Sequence, residues 1–144
     1  MFFKRTPQRL SVYTDGSIRP EQGASGLAAV ARDRQGKIQY WWSRRVGRLT
    51  CNEAEYGAAI LALESLLRLH VREVAIYSDS QVMVFQMNGR ARTHASGLKQ
   101  AQIRVRALLV QFDRVTFHHI PREENRLADA SANDTVDGMV GSHE

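Results

Sequence analysis

The chain has 144 residues, 43% of them hydrophobic and 24% charged, with 20 Lys and Arg against 15 Asp and Glu for a formal net charge of +5. That length suits one domain with a sizeable core, and no apolar run approaches the roughly 20 residues that a membrane span needs. The excess of base favours a polyanionic partner, and the single cysteine, Cys51, excludes an internal disulfide and suits a reducing cytoplasm.

Met1 to Pro7 lacks the apolar stretch of a signal peptide. Residues 1–8 read as a flexible lead-in, 9–136 as the folded domain and 137–144 as a polar tail. Leu10 to Thr14 reads as a buried strand that delivers Asp15 to a turn, and Gly16, without a Cβ, permits that turn. Ile18 to Gly26 holds Pro20, Gly23 and Gly26 and reads as turn throughout. Leu27–Arg32 and Ile38–Val46 form a hairpin around Asp33-Arg34-Gln35-Gly36, so three strands in succession make an antiparallel meander.

The period changes at Asn52. Ala59, Ile60, Leu63, Leu66 and Leu67 recur at helical spacing, Thr50 or Asn52 caps the start, and the helix runs to about Leu69. Glu73 to Tyr77 is a strand reached by a helical crossover, hence parallel to the first. Gln81 to Met87 is a helix ending near Asn88-Gly89. Leu98, Ile103, Val105, Leu108, Leu109 and Phe112 mark the apolar face of another, Val115–Ile120 is a strand ended by Pro121, and Arg126–Val136 is the last helix. The order βββαβααβα describes one α/β domain with a mixed sheet.

Four carboxylates fall where charge is costly without a cation. Asp15 and Asp79 end two central strands. Glu55 lies in the first turn of the long helix on its buried side, and Asp129 lies in the first turn of the last helix among small apolar neighbours. Carboxylates with no histidine or cysteine nearby suit hard divalent ions such as Mg²⁺ or Mn²⁺. Taken singly, the same residues also read as a turn aspartate and as acidic charges at helix N-termini.

Tyr13-Thr14-Asp15-Gly16-Ser17, Asn52-Glu53-Ala54-Glu55-Tyr56, Tyr77-Ser78-Asp79-Ser80-Gln81 and Pro121-Arg122-Glu123-Glu124-Asn125 with Ala128-Asp129 occur in this order over residues 10–135. The set resembles ribonuclease H type 1. The resemblance implies the ribonuclease H fold, an α/β five-stranded mixed sheet (three antiparallel strands, then two parallel) with helices on both faces. It implies hydrolysis of the RNA strand of RNA–DNA hybrids with two Mg²⁺ ions, Mn²⁺ serving as a substitute, and 5′-phosphate and 3′-hydroxyl products. Asp15, Glu55, Asp79 and Asp129 match the catalytic, metal-binding positions, with Asp15 central and bridging both ions. Arg48 and Thr50 match a phosphate site for the DNA strand, Asn52 and Gln81 match minor-groove contacts, and Gly16, Ser17 and Ser80 flank them. Double-stranded RNA is a further partner to test, no membrane is involved, and the expected state is a monomer.

The chain departs from the family at several points. Cys51 stands where members often have asparagine, and Ala95 stands at a frequent phosphate-binding asparagine. The loop before Asp129 is short and lacks the assisting histidine, like a subgroup with Pro-Arg-Glu-Glu-Asn, and the basic handle helix is absent. His118 and His119 belong to a strand and point to opposite faces. Arg122 or Glu124 is left to assist product release. Arg90, Arg92, Lys99, Arg104 and Arg106 give residues 90–106 no acidic partner, so this stretch, with Arg92 and Lys99 foremost, is expected on backbone phosphates; an ordinary solvated helix face is the alternative. Arg44 and Arg45 read as a solvated strand face. A non-catalytic hybrid-binding module would usually lose one of the four carboxylates, and a transposase or integrase core would usually add DNA-binding domains.

Overall fold

The structure, a computed structural model, describes residues 8–89 and 96–138. Strands β1 (Arg9–Arg19), β2 (Ala24–Arg32) and β3 (Ile38–Val46) precede helix α1 (Cys51–Arg68). Then come β4 (Glu73–Ser78), α2 (Gln81–Met87), α3 (Ser96–Leu109), β5 (Arg114–His119) and α4 (Arg126–Val136). The sheet order is β3-β2-β1-β4-β5. β1 to β3 pair antiparallel, and β4 lies parallel to both β1 and β5, the mixed five-stranded sheet expected.

The strand ends differ from the sequence reading in one consequential way. β1 does not turn at Asp15-Gly16. It continues to Arg19, pairing Asp15 with Ala28 and Ser17 with Gly26, and the reversal is confined to a 3₁₀ turn at Pro20–Gln22 and Gly23 at φ 60°. Gly16 is needed for another reason. A Cβ there would sit 2.5 Å from the Ala54 carbonyl carbon, so its bare backbone lets α1 lie against β1. Gly26 on β2 serves the opposite face, where a Cβ would press on the Ala132 carbonyl of α4. With helices on both sides, β2 from Ala24 to Ala31 is buried throughout and is built from small and branched residues.

Helix α1 starts on a capping box. Thr50 Oγ1 accepts the Glu53 N–H at 3.1 Å, and Glu53 Oε1 accepts the Thr50 N–H at 2.8 Å, which settles the cap on Thr50 rather than Asn52. The helix is wedged between the sheet and α3, so Tyr56, Leu61, Leu63 and Leu66 are all buried. On α3, Val105 and Leu108 enter that core, but Ile103, expected there, is 62% exposed. Its position puts it outside the stripe that Leu98, Val105 and Leu108 form. Helix α4 is fastened to β3 by two bonds. Trp41 Nε1 donates to Ser131 Oγ at 2.8 Å, and Arg45 Nε donates to the Val136 carbonyl at 3.0 Å, so Arg45 caps a helix C-terminus instead of standing free in solvent.

Candidate active site

β1 and β4 run parallel with Thr14 opposite Ser78, so Asp15 and Asp79 are the next residues along two adjoining chains. Asp15 is inside β1, and Asp79 is one residue beyond the end of β4. Glu55 is the fifth residue of α1, in its second turn rather than its first, and it arrives where α1 crosses Gly16. Its Oε1 accepts the Gly16 N–H at 2.6 Å. Carboxylate oxygens of Asp15, Glu55 and Asp79 all lie within 4.8 Å of one another. Asp129, in the first turn of α4, stands beside Asp15 but outside that mutual sphere.

The electrostatics follow from this crowding. Burial first, then the negative charges of Glu55 and Asp79, push the Asp15 carboxyl up to about 10. Burial pushes Glu55 up to about 7, against the relief that hydrogen bonds from Asp15 and the Gly16 N–H provide. Burial raises Asp79 as well, partly offset by the Arg122 charge and the Asn125 amide. A protein-only cluster therefore holds protons at neutral pH. Four carboxylates on or at the ends of four rigid elements, short of positive charge, are the donor set of a hard divalent ion, and these residues fit that group.

An open cleft of about 600 Å³ surrounds the cluster, and Gly16, Ser17, Asn52, Ser80, Gln81 and Arg122 line it with the carboxylates. Ser80 also caps α2, accepting the Met83 N–H at 3.2 Å. Arg122 Nη2 lies 3.4 Å from Asp129 Oδ1. Arg48 and Thr50 line an adjoining groove, which shares Ile18 and Cys51 with the cleft. Cys51 thus stands closer to the carboxylates than a site free of cysteine would have it. Lys99 is exposed on α3 and lines neither cavity, and Arg92, with Arg90 and Ala95, lies outside the described residues. Arg104 is not without an acidic partner, because its Nη2 meets Glu64 Oε2 at 2.6 Å across the α1–α3 interface. His118 stacks on Tyr77 at 4.9 Å and His119 meets Phe85 edge-on, so the two do part to opposite faces, and neither lines the cleft.

Three residues of the site were not singled out from sequence. Asn125 is buried and donates from Nδ2 to the Thr14 carbonyl at 2.8 Å, tying the start of α4 to the central strand β1. Its place in the Pro121–Asn125 motif was the available signal. Arg19 and Asn133 line the cleft. Helical spacing from Asp129 points to Asn133, and a strand continued past Gly16 points to Arg19.

A mixed five-stranded sheet with carboxylates at the adjoining ends of its central parallel strands, and helices on both faces, defines a ribonuclease H-like α/β protein. A sequence model of the family described as reverse transcriptase-like matches residues 13–135. Ribonuclease HI of Halobacterium salinarum is 34% identical over 129 residues, which is 90% of this chain and 65% of that protein. A bifunctional protein of Mycobacterium tuberculosis is 32% identical over 135 residues, 93% of this chain and 37% of that protein. The chain therefore spans less than two thirds of either relative. Among solved structures, RNase H1 of Halobacterium salinarum aligns with a TM-score of 0.86 at 34% identity, covering 90% of this chain and 98% of that one. LC11-RNase H1, solved in complex with RNA/DNA hybrid, aligns with a TM-score of 0.84 at 31% identity over 92% and 99% of the two chains. This chain belongs to the ribonuclease H type 1 family.

Proposed function

We propose that the chain is an endonuclease that hydrolyses the RNA strand of RNA–DNA hybrids, leaving 5′-phosphate and 3′-hydroxyl ends. The observation that carries this reading is the meeting of Asp15, Glu55 and Asp79 within 4.8 Å, with Asp129 beside Asp15, in an open cleft. Asp15, on the central strand between Asp79 and the Glu55 helix, would be shared between two Mg²⁺ ions, with Glu55, Asp79 and Asp129 completing their ligands, and Mn²⁺ would substitute. Bound there, the ions supply a water of lowered pKa and neutralise charge on the scissile phosphate and the leaving oxygen.

The chain's own residues do the rest. Gly16 and Asn125 hold the carboxylates in place by the bonds described. Arg122 offers the cleft an exposed guanidinium, and the short Pro121–Asn125 loop around it supports the subgroup without a loop histidine or basic handle. Arg48 and Thr50, in the adjoining groove, suit a phosphate of the DNA strand, while Asn52 and Gln81 suit bases and 2′-hydroxyls in the minor groove. A panel of labelled hybrid, double-stranded DNA and double-stranded RNA with Mg²⁺ or Mn²⁺ tests the reading. Cleavage of the hybrid's RNA strand to 5′-phosphate ends is expected; cleavage of DNA instead would overturn it.

A further inference from the structure

Because β1 runs on to Arg19, Asp15, Ser17 and Arg19 alternate onto one face of the sheet, the face that α4 covers. On α4 and its C-cap, Asp129, Asn133 and Asp137 stand four residues apart. Two strand residues rise about 6.6 Å and four helical residues about 6 Å, so the two rails stay in step. The result is three rungs. Asp15 stands beside Asp129, Ser17 Oγ donates to Asn133 Oδ1 at 2.6 Å, and Arg19 meets Asp137 through Nε at 2.9 Å and Nη2 at 3.2 Å.

The donors in this ladder can be counted. Arg19 has N–H groups only, and its Nη1 gives one each to Ser17 Oγ and the Ile18 carbonyl, both at 3.0 Å. Ser17 Oγ therefore accepts from Arg19, and its single hydrogen goes to Asn133 Oδ1. The Asn133 amide stands with its oxygen toward Ser17 and its nitrogen away from it. Asn133 Nδ2 has no partner among the described residues, and the side chain lines the cleft one helical turn beyond Asp129.

We propose that Asn133 Nδ2 donates to a non-bridging phosphate oxygen of the RNA strand beside the scissile linkage, and that Ser17, Arg19 and Asp137 are positioning residues that set its orientation. The inference rests on the hydrolytic reading above. A phosphate fits better than a 2′-hydroxyl because the Asn133 oxygen is turned toward Ser17 and the Nδ2 donor is the group left without a partner among the described residues. Only a donor faces the cleft, matching a group that only accepts. Arg19 itself is spent, four of its five N–H groups being held within the protein, so it acts through Asn133.

The test compares the parent, N133A, R19A and the double variant on hybrids carrying single stereodefined phosphorothioates in the RNA strand. Affinity is read by anisotropy in Ca²⁺ and cleavage in Mg²⁺. N133A is expected to raise KM about tenfold with kcat little changed, the loss of one hydrogen bond to a charged group. One sulfur isomer at one linkage should weaken the parent and have no further effect on N133A. R19A should raise KM severalfold in the parent and add nothing in N133A, which a general loosening of α4 would not produce. Should N133A fail to fold by circular dichroism, N133S takes its place. Equal KM for N133A and the parent, or a sulfur effect that persists in N133A, would overturn the proposal. A 2′-deoxy effect suppressed in its stead would overturn the phosphate assignment. A parent that neither binds nor cleaves hybrid would refute the hydrolytic reading itself, a distinguishable outcome.

Discussion

The Gly16 N–H donates to Glu55 Oε1 at 2.6 Å, joining two acidic motifs that lie 39 residues apart. The contact exists because α1 lies against β1 at a residue with no side chain. In Gly16→Ala the new Cβ would meet the Ala54 carbonyl carbon at 2.5 Å and its oxygen at 2.6 Å, backbone atoms that move only if the helix moves. Urea unfolding is expected to show a loss of about 3 kcal/mol, and displacement of Glu55 should lower hybrid cleavage about a hundredfold. Parent-like stability and rate would contradict this packing.

Asp15 gives the metal-free protein a pH signature. Its ordinary value of 3.8 is pushed up to about 10, so the folded state holds a proton that the unfolded state releases. The sign follows: this group's contribution is fully present below the unfolded value and is lost as pH rises toward the folded one. The metal-free parent should lose stability as pH climbs from about 5 to about 9, and Asp15→Asn, which cannot ionise, should lose less. Melting midpoints in chelator across that range measure the gap, which should widen with pH. Adding Mg²⁺ or Mn²⁺ should raise the parent's midpoint, more at the alkaline end because the ligands must shed protons.

Arg122 sits 3.4 Å from Asp129 with its side chain 74% exposed, so the pair contributes little to the fold. Arg122→Ala should change unfolding free energy by no more than about 0.5 kcal/mol. It should also tighten divalent-ion binding about two- to fivefold, since a cation competing for Asp129 and Asp79 is gone. Calorimetric titration with Mn²⁺ reads this directly, and weaker binding would show that Arg122 helps to organise the site.

Much of the architecture was legible because α1 carries clear periodicity after Thr50 and Pro121 ends the strand before α4, and the predicted bounds of α2 and α4 match the structure. The four carboxylates were legible from motif order. The ladder from Ser17 to Asp137 was not. Gly16 looked like a turn residue, whereas its role is close approach to Ala54, a contact made by residues 38 positions on in the chain. Ending the strand there hid the alternation that places Arg19 beside Ser17. Arg104 was read as a free cation because its partner Glu64 belongs to another helix, and local sequence carries no record of that packing. Ile103 was read as core because an apolar residue at near-helical spacing does not say which edge of the stripe faces out.

That revision narrows the basic stretch expected on backbone phosphates. With Arg104 paired, Arg90, Arg92, Lys99 and Arg106 remain, and the first three are the residues to test together. The triple alanine variant should weaken hybrid binding and reduce the slope of log affinity against log salt by about 2 to 3. Binding that matches the parent from low to high salt would remove these residues from the interface.

The carboxylate cluster around Asp15 is the part of the molecule proposed to perform the cleavage. Its most direct test is the initial rate of RNA-strand cleavage in a labelled hybrid with saturating Mg²⁺, measured for the parent and for Asp15→Asn at matched folded concentration. The parent should cleave the RNA strand, and the variant, which keeps the shape of Asp15 but not its charge, should lose at least about a thousandfold. A variant that cleaves at the parent's rate would contradict it.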